Sequence, residues 1–144
     1  MSIVLAPARK APWHLWAVGV VALLWNAAGA ATIWMAQAGT LPDLEPGEAE
    51  YYAAQPAWFV AVTDVALVAA IVAALALLAR KRLAVPMFAL SLAAIVVTNS
   101  YDLAAGTSRV FGNRAALLVT AIIVILAVLQ FAYSRALHRR AVIG

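Results

Sequence analysis

The chain contains no cysteine and few charged residues. With no cysteine among its 144 residues, disulfide bonds, thiolate metal ligands and thiol nucleophiles are excluded. Charged residues make up 11% of the chain and hydrophobic residues 67%, whereas a soluble domain has about 25% and about 45–50%. A globule of this size could not bury that apolar excess and would aggregate in water. The composition therefore indicates a protein that lipid surrounds.

The sequence also lacks the motifs of common active sites. It has no Ser-His-Asp arrangement, no Walker loop, no HExxH and no GxGxxG. Neither His14 nor His138 has neighbours suited to hold a metal with it. We therefore expect a protein that is not an enzyme and that binds no metal or cofactor.

Four long apolar stretches fill most of the chain, at residues 14–37, 57–79, 83–101 and 115–133. Each approaches the ~20 apolar residues that cross a ~30 Å hydrocarbon layer as a helix. We predict an all-α fold: a single domain over residues 1–144 that forms an integral membrane four-helix bundle. Short connections predict antiparallel, up-down-up-down neighbours. The loops 38–56 and 102–114 then lie on one side.

Basic residues are distributed unevenly among the predicted connections. Eight of the ten lie before the first stretch, between the second and third, or after the fourth: Arg9, Lys10, Arg80, Lys81, Arg82, Arg135, Arg139 and Arg140. The acidic residues of the first loop lie opposite. An excess of Lys and Arg marks cytoplasmic loops. We therefore expect a multi-pass membrane protein with both termini cytoplasmic, and a topogenic charge pattern rather than a nucleic-acid surface.

The N-terminal region has features of a signal peptide, with basic residues, an apolar run and small residues at 28–30. The run continues through Trp34 and Met35, which is too long for a signal peptide. We expect an uncleaved membrane anchor.

Local patterns refine the predicted bundle. Pro46, followed by Glu48 and Glu50, is typical of a helix start, so the first loop either carries a short surface helix or is an ordinary acidic loop. Alanines recur every four residues at 66, 70 and 74, which favours close helix packing. The fourth stretch is rich in Leu, Val and Ile, and we expect it to face lipid most.

Asp64 is the most informative polar residue within a predicted span. It lies about two turns into the second stretch, ~10 Å from its end at 1.5 Å per residue. An acid at that depth costs a few kcal/mol unless it is protonated, paired or hydrated, which makes it a candidate functional residue. The alternative is a structural hydrogen bond that joins two helices.

A polar cluster, Thr98 to Asp102, ends the third stretch on the same side as Asp64. One hypothesis is an outward-facing cavity formed by Asp64, Asn99, Tyr101 and Asp102, with Arg109 balancing their charge. The other is a helix end that is capped by its own polar residues.

Asn26 lies near the middle of the first stretch, with Gly29 close by. An amide in lipid seeks a partner on another helix, and Gly29 is expected to permit a close approach there. A ligand contact is the alternative role for Asn26.

Several ordered motifs carry a resemblance to known proteins. They are Leu24-Trp25-Asn26-x-x-Gly29, Gln37, Tyr51-Tyr52, Pro56-x-Trp58, the segment from Arg82 through Pro86, Phe88 and Ser91, and Tyr101. With these the chain resembles a family of small four-helix bacterial membrane proteins that are often named sugar transporters. The resemblance implies a location in the bacterial inner membrane. Those proteins often carry an acid beside a tyrosine near the positions of Ile33 and Trp34. This chain does not, and Asp64 is a candidate substitute.

Two functions remain open from the sequence. The first is a non-catalytic accessory or scaffold subunit, with lipids and other membrane proteins, or a second copy of this chain, as partners. The second is a small oligomeric transporter of a sugar-like solute or a proton-coupled carrier, which would use Asp64 and the cluster 99–102. A four-helix core is too solid for a monomeric sugar carrier.

Overall fold

The computed structural model describes residues 10–144, which form five α-helices. They are α1 (Trp13–Gln37), α2 (Pro46–Ala53), α3 (Ala57–Leu78), α4 (Ala84–Ala105) and α5 (Asn113–Arg139), with a short 3-10 helix, Thr107–Arg109, before α5. The described part of the chain contains no strand. The prediction of an all-helical chain is confirmed.

Four of the helices, α1, α3, α4 and α5, are long and apolar enough to cross a membrane. Two of them are longer than predicted. α4 continues to Ala105, one turn beyond residue 101, and ends at Gly106, whose φ of 71° suits a left-handed cap. α5 continues from Asn113 to Arg139 rather than from 115 to 133. Its last turn includes Arg139, whose positive charge is favourable at a helix C-terminus.

α3 is the central helix and packs on both α1 and α4, while α5 packs on α4. Contacts at opposite ends show that α1 and α3 are antiparallel: Trp34 bonds Asp64 at one end, and Gly19 lies against Leu78 at the other. We call the end that carries α2 and the 3-10 helix the α2 end. The opposite end, which carries the turn between α3 and α4, is the arginine end.

Alanine packing holds α3 in the centre. Ala66, Ala70 and Ala74 are buried, as the four-residue spacing predicted. Ser91 of α4 approaches closely enough to donate a hydrogen bond of 2.8 Å from Oγ to the carbonyl of Ala66. α5 differs from α3, because no residue in the most apolar 18-residue segment of α5 is buried. The expectation that the fourth span is the most exposed is therefore confirmed.

The first loop does contain a short helix, α2, which decides between the two readings of that segment. Pro46 occupies its first turn, and Glu45 and Glu48 form a reciprocal capping box. In that box the backbone N–H of Glu45 donates to Oε2 of Glu48 at 3.3 Å. These bonds satisfy amide groups that a helix start otherwise leaves unpaired.

A close approach occurs in α1, but at Gly19 rather than at the expected Gly29. A Cβ added to Gly19 would lie 2.5 Å from Cδ2 of Leu78, whereas one at Gly29 would meet nothing within 4 Å. The expectation for Gly29 is wrong because the face of α1 that carries it points away from α3.

The C-terminal segment folds back onto the arginine end, which the sequence did not predict. Val142 and Ile143 are buried. Arg80 donates from Nε and Nη2 to the carbonyl of Val142, at 3.2 and 3.1 Å. Gly144 exchanges backbone hydrogen bonds with Arg80 and Arg82, both at 3.1 Å. The segment thus closes this end of the bundle.

Candidate functional site

A pocket of about 360 Å³ opens at the α2 end. It lies where α2, the start of α3, the end of α4 and the 3-10 helix meet. Its lining includes Glu50, Tyr51, Gln55, Phe59, Tyr101, Asp102, Thr107 and Val110. A volume in this range suits small-molecule sites, which are ~300–1,000 Å³.

Asp102 is the polar centre of the pocket wall. The hydroxyl of Tyr51 donates to its two carboxylate oxygens, at 3.0 and 3.1 Å. The hydroxyl of Thr107 lies 3.0 Å from Oδ1 and 2.9 Å from the carbonyl oxygen of the same residue. These contacts join α2 and the 3-10 helix to the end of α4.

Aromatic rings surround this hydrogen-bonded group. Tyr51 meets Phe111 edge-on with ring centroids 5.2 Å apart. On the other side of the pocket, Tyr101 lies 4.9 Å from Trp58 and 5.4 Å from Phe59. The pairs Tyr51–Phe111 and Trp58–Tyr101 are edge-to-face, a favourable arrangement at these separations.

The tyrosines of α2 remain protonated at neutral pH. Burial, followed by the nearby Asp102 carboxylate, raises the pKa of Tyr51 well above its usual value. Burial, followed by the charges of Glu48 and Asp102, also raises the pKa of Tyr52. Tyr51 therefore acts as a hydrogen-bond donor to Asp102 and not as a base.

Asp64 lies outside this pocket. Its Oδ1 accepts a hydrogen bond of 2.8 Å from the indole Nε1 of Trp34 on α1. The structure therefore does not bring Asp64 and Asp102 together in one cavity, and the interhelical hydrogen bond of the structural alternative is present. Beside it, the buried hydroxyl of Thr63 has no hydrogen-bond partner among the described residues.

The polar cluster of α4 divides into two parts. Thr98 and Asn99 bond to carbonyl groups of their own helix, with Nδ2 of Asn99 donating to Ile95 at 2.8 Å. These carbonyls lie inside α4, which ends at Ala105, so neither side chain caps the helix end. Tyr101 and Asp102 instead line the pocket. Arg109 is exposed on the 3-10 helix and is not among the lining residues. Its predicted role beside Asp64 and Asn99 therefore has no counterpart in this geometry.

Asn26 has a partner on another helix. Its Nδ2 donates to Oε1 of Gln130 on α5 at 3.0 Å. Both side chains line a cavity of about 30 Å³ with Ser91 of α4, which is room for one or two waters, since one water needs ~10–15 Å³. The interhelical contact predicted for Asn26 is confirmed.

Sequence reasoning missed the partners of its own candidates. Gln130 is the one amide in the stretch 115–133, and that signal could have paired it with Asn26. Tyr51 and Trp34 could not be assigned as partners of Asp102 and Asp64, because a hydrogen bond between distant segments leaves no local pattern. The same holds for His14, whose Nδ1 lies 2.6 Å from the hydroxyl of Tyr133 at the arginine end.

No family model matches this chain, and comparison with curated proteins and with solved structures finds no similar protein.

Proposed function

We propose that this protein is a non-catalytic accessory subunit of a larger membrane assembly, with the arginine end in the cytoplasm. The observation that carries the proposal is the Asp64 hydrogen bond. Asp64, the acid inside a span, accepts a hydrogen bond from Trp34 of the neighbouring helix, which is the role expected of a structural contact between helices. It does not face the pocket near Asp102, where a carrier would need it.

Two further features support this role. The polar side chains at mid-span, Asn26 and Gln130, bond to each other beside a cavity of about 30 Å³, far too small for a sugar. The apolar window of α5 has no buried residue. α5 therefore offers a continuous surface, from Leu117 to Leu129, to lipid or to another subunit.

Co-purification with residue-specific photocrosslinking tests the proposal. A photoreactive side chain at Leu118, which is 65% exposed on α5, should crosslink a distinct membrane protein that also co-purifies in fixed ratio after gentle extraction. The same probe at the fully buried Ala73 is the control and should crosslink no other protein. Asp64→Asn should leave the assembly intact. Recovery of the protein alone, as a defined homodimer, would contradict the accessory role.

A small oligomeric solute transporter is the second candidate, and the α2-end pocket favours it. A dimer would have to complete the path, since a path across one four-helix bundle must pass a packed core. Uptake of a sugar into vesicles that contain the purified protein, lost in Asp64→Asn and Asp102→Asn, would support this candidate over the first.

A further inference from the structure

The pocket at the α2 end has an unusual charge. Glu50 and Asp102 both contribute to its lining, and none of the lining residues is Lys, Arg or His. The chain as a whole is basic, with a net charge of +4. Two carboxylates in a concave site concentrate negative potential there and favour a cationic ligand.

Asp102 has capacity left for a ligand. Its Oδ1 accepts from both Tyr51 and Thr107, but among the described donors its Oδ2 accepts only the shared hydroxyl of Tyr51, at 3.1 Å. A carboxylate offers about four lone-pair sites. Oδ2 can therefore accept a charge-assisted hydrogen bond from a ligand N–H.

The aromatic side chains add a second recognition element. Tyr51, Phe59 and Tyr101 line the same pocket as the two carboxylates. The faces of aromatic rings attract cations, with energies of about 0.5–2 kcal/mol. Rings and carboxylates together are the surroundings that an alkylammonium group prefers, since the rings contact its carbon atoms and the acid balances its charge.

We propose that this pocket binds an organic ammonium group, carried either by a free amine or by an aminophospholipid headgroup. The volume of about 360 Å³ accommodates such a group with a short carbon chain. The site lies at the end of the spans, where headgroups and dissolved amines both have access. Binding of this kind is independent of the accessory role, because a subunit or a carrier could equally hold the ligand.

Titration of the detergent-purified protein tests the proposal. Ethanolamine and tetramethylammonium are the cationic probes, and glucose and acetate are the neutral and anionic ones. Calorimetry should report saturable binding of the cations alone. The total tryptophan fluorescence, to which Trp58 contributes with its ring 4.9 Å from that of Tyr101, should change in parallel. Asp102→Asn should weaken it by about tenfold or more, because a desolvated charge pair is lost. Asp64→Asn, which changes an acid outside the pocket, is the matched control and should not.

Glucose that binds as tightly as ethanolamine, or cation binding that Asp102→Asn does not weaken, would overturn the proposal. If Asp102→Asn does not fold, Glu50→Gln at the rim and Tyr101→Leu in the wall replace it, and each should weaken binding of the cation. Nanodiscs then distinguish the two sources. With a headgroup as the occupant, phosphatidylethanolamine discs should weaken ethanolamine binding relative to phosphatidylglycerol discs. With a free amine, the two should agree. Failure of these titrations would leave the co-purification result untouched.

Discussion

At the scale of single residues, hydrogen-bond partners decide the role of each polar group within the spans. Asn26 bonds Gln130, Ser91 bonds a carbonyl of α3, and Asp64 bonds Trp34. Each bond joins two helices. An apolar medium offers such groups no water to replace a lost partner, so these side chains specify which helix faces meet.

We expect Asn26→Leu to destabilise the protein by about 0.6–2 kcal/mol, the range for interhelical hydrogen bonds in membranes. The change leaves the amide of Gln130 without its partner. The double variant Asn26→Leu with Gln130→Leu should recover part of the loss, because neither amide then remains unpaired. Thermal unfolding in detergent measures both. A loss in the double variant that equals the sum of the losses in Asn26→Leu and Gln130→Leu would show that the pair is not coupled.

The sequence identified most candidate polar residues but not their grouping. Asp64, Asn99 and Asp102 stood out because polar groups are rare in apolar stretches. Their rotation about the helix axes, however, depends on how α3 and α4 pack. Asn99 turns back to its own carbonyls, and only Tyr101 and Asp102 reach the pocket. The sequence predicts the type of each polar residue and its depth in the span, but not which neighbouring helix its side chain faces.

At the scale of elements, the helix ends show which structural features local sequence patterns can predict. Pro46 and the acids behind it indicated where α2 starts, since capping chemistry is local, but they did not decide between a helix and a loop. The docking of the C-terminal segment was not predictable, because Val142 and Ile143 find their burial against residues that are distant in sequence. The same holds for Gly19, whose role depends on Leu78 of another helix.

Gly19→Ala and Gly29→Ala form a matched pair in α1. We expect the first to be less stable than the second by about 1 kcal/mol, because its methyl group would force the side chain of Leu78 to move, which offsets the gain in helix propensity. The second should be neutral or stabilising by up to about 1 kcal/mol, since alanine is the better helix former and has open space there. Unfolding midpoints in one detergent compare them. The reverse order would contradict the observed contact between α1 and α3.

High pH should loosen α2. Burial and the carboxylate of Asp102 raise the pKa of Tyr51, so the folded state holds the phenol proton more tightly than the unfolded state. Its contribution to stability is therefore complete below the ordinary phenol pKa of about 10 and declines as pH rises above that value.

Unfolding midpoints recorded across that range should fall more steeply for the wild type than for Tyr51→Phe, which has no phenol to titrate. Tyr52 also has a raised pKa, so a smaller decline should persist in the variant. Identical pH profiles for the two proteins would rule out Tyr51 as the titrating group.

At the scale of the whole molecule, the charge pattern and the fold agree. The structure gathers Arg80, Lys81 and Arg82 at one end and α2 with its acids at the other. The spans between these ends are exposed and apolar, as lipid-facing surfaces are. By the positive-inside rule, this distribution supports the proposed cytoplasmic position of the arginine end.

Cysteine labelling can test this orientation without a background, because the natural chain has no cysteine. In intact cells, a membrane-impermeant maleimide should label Glu48→Cys on α2. It should label Lys81→Cys only after the membrane is broken. Opening the cells before labelling serves as the control for reactivity at both sites. Labelling of both positions from outside would contradict the proposed topology and, with it, the proposed subunit role.

The bond between Tyr51 and Asp102 also sets an order for biogenesis. The two residues are 51 positions apart, and α3 and most of α4 must be synthesised between them. α2 therefore stays without these contacts until α4 and the residues up to Phe111 have been made. Its docking is a late step of folding, and a chain that ends before Asp102 would leave Tyr51 without its acceptor.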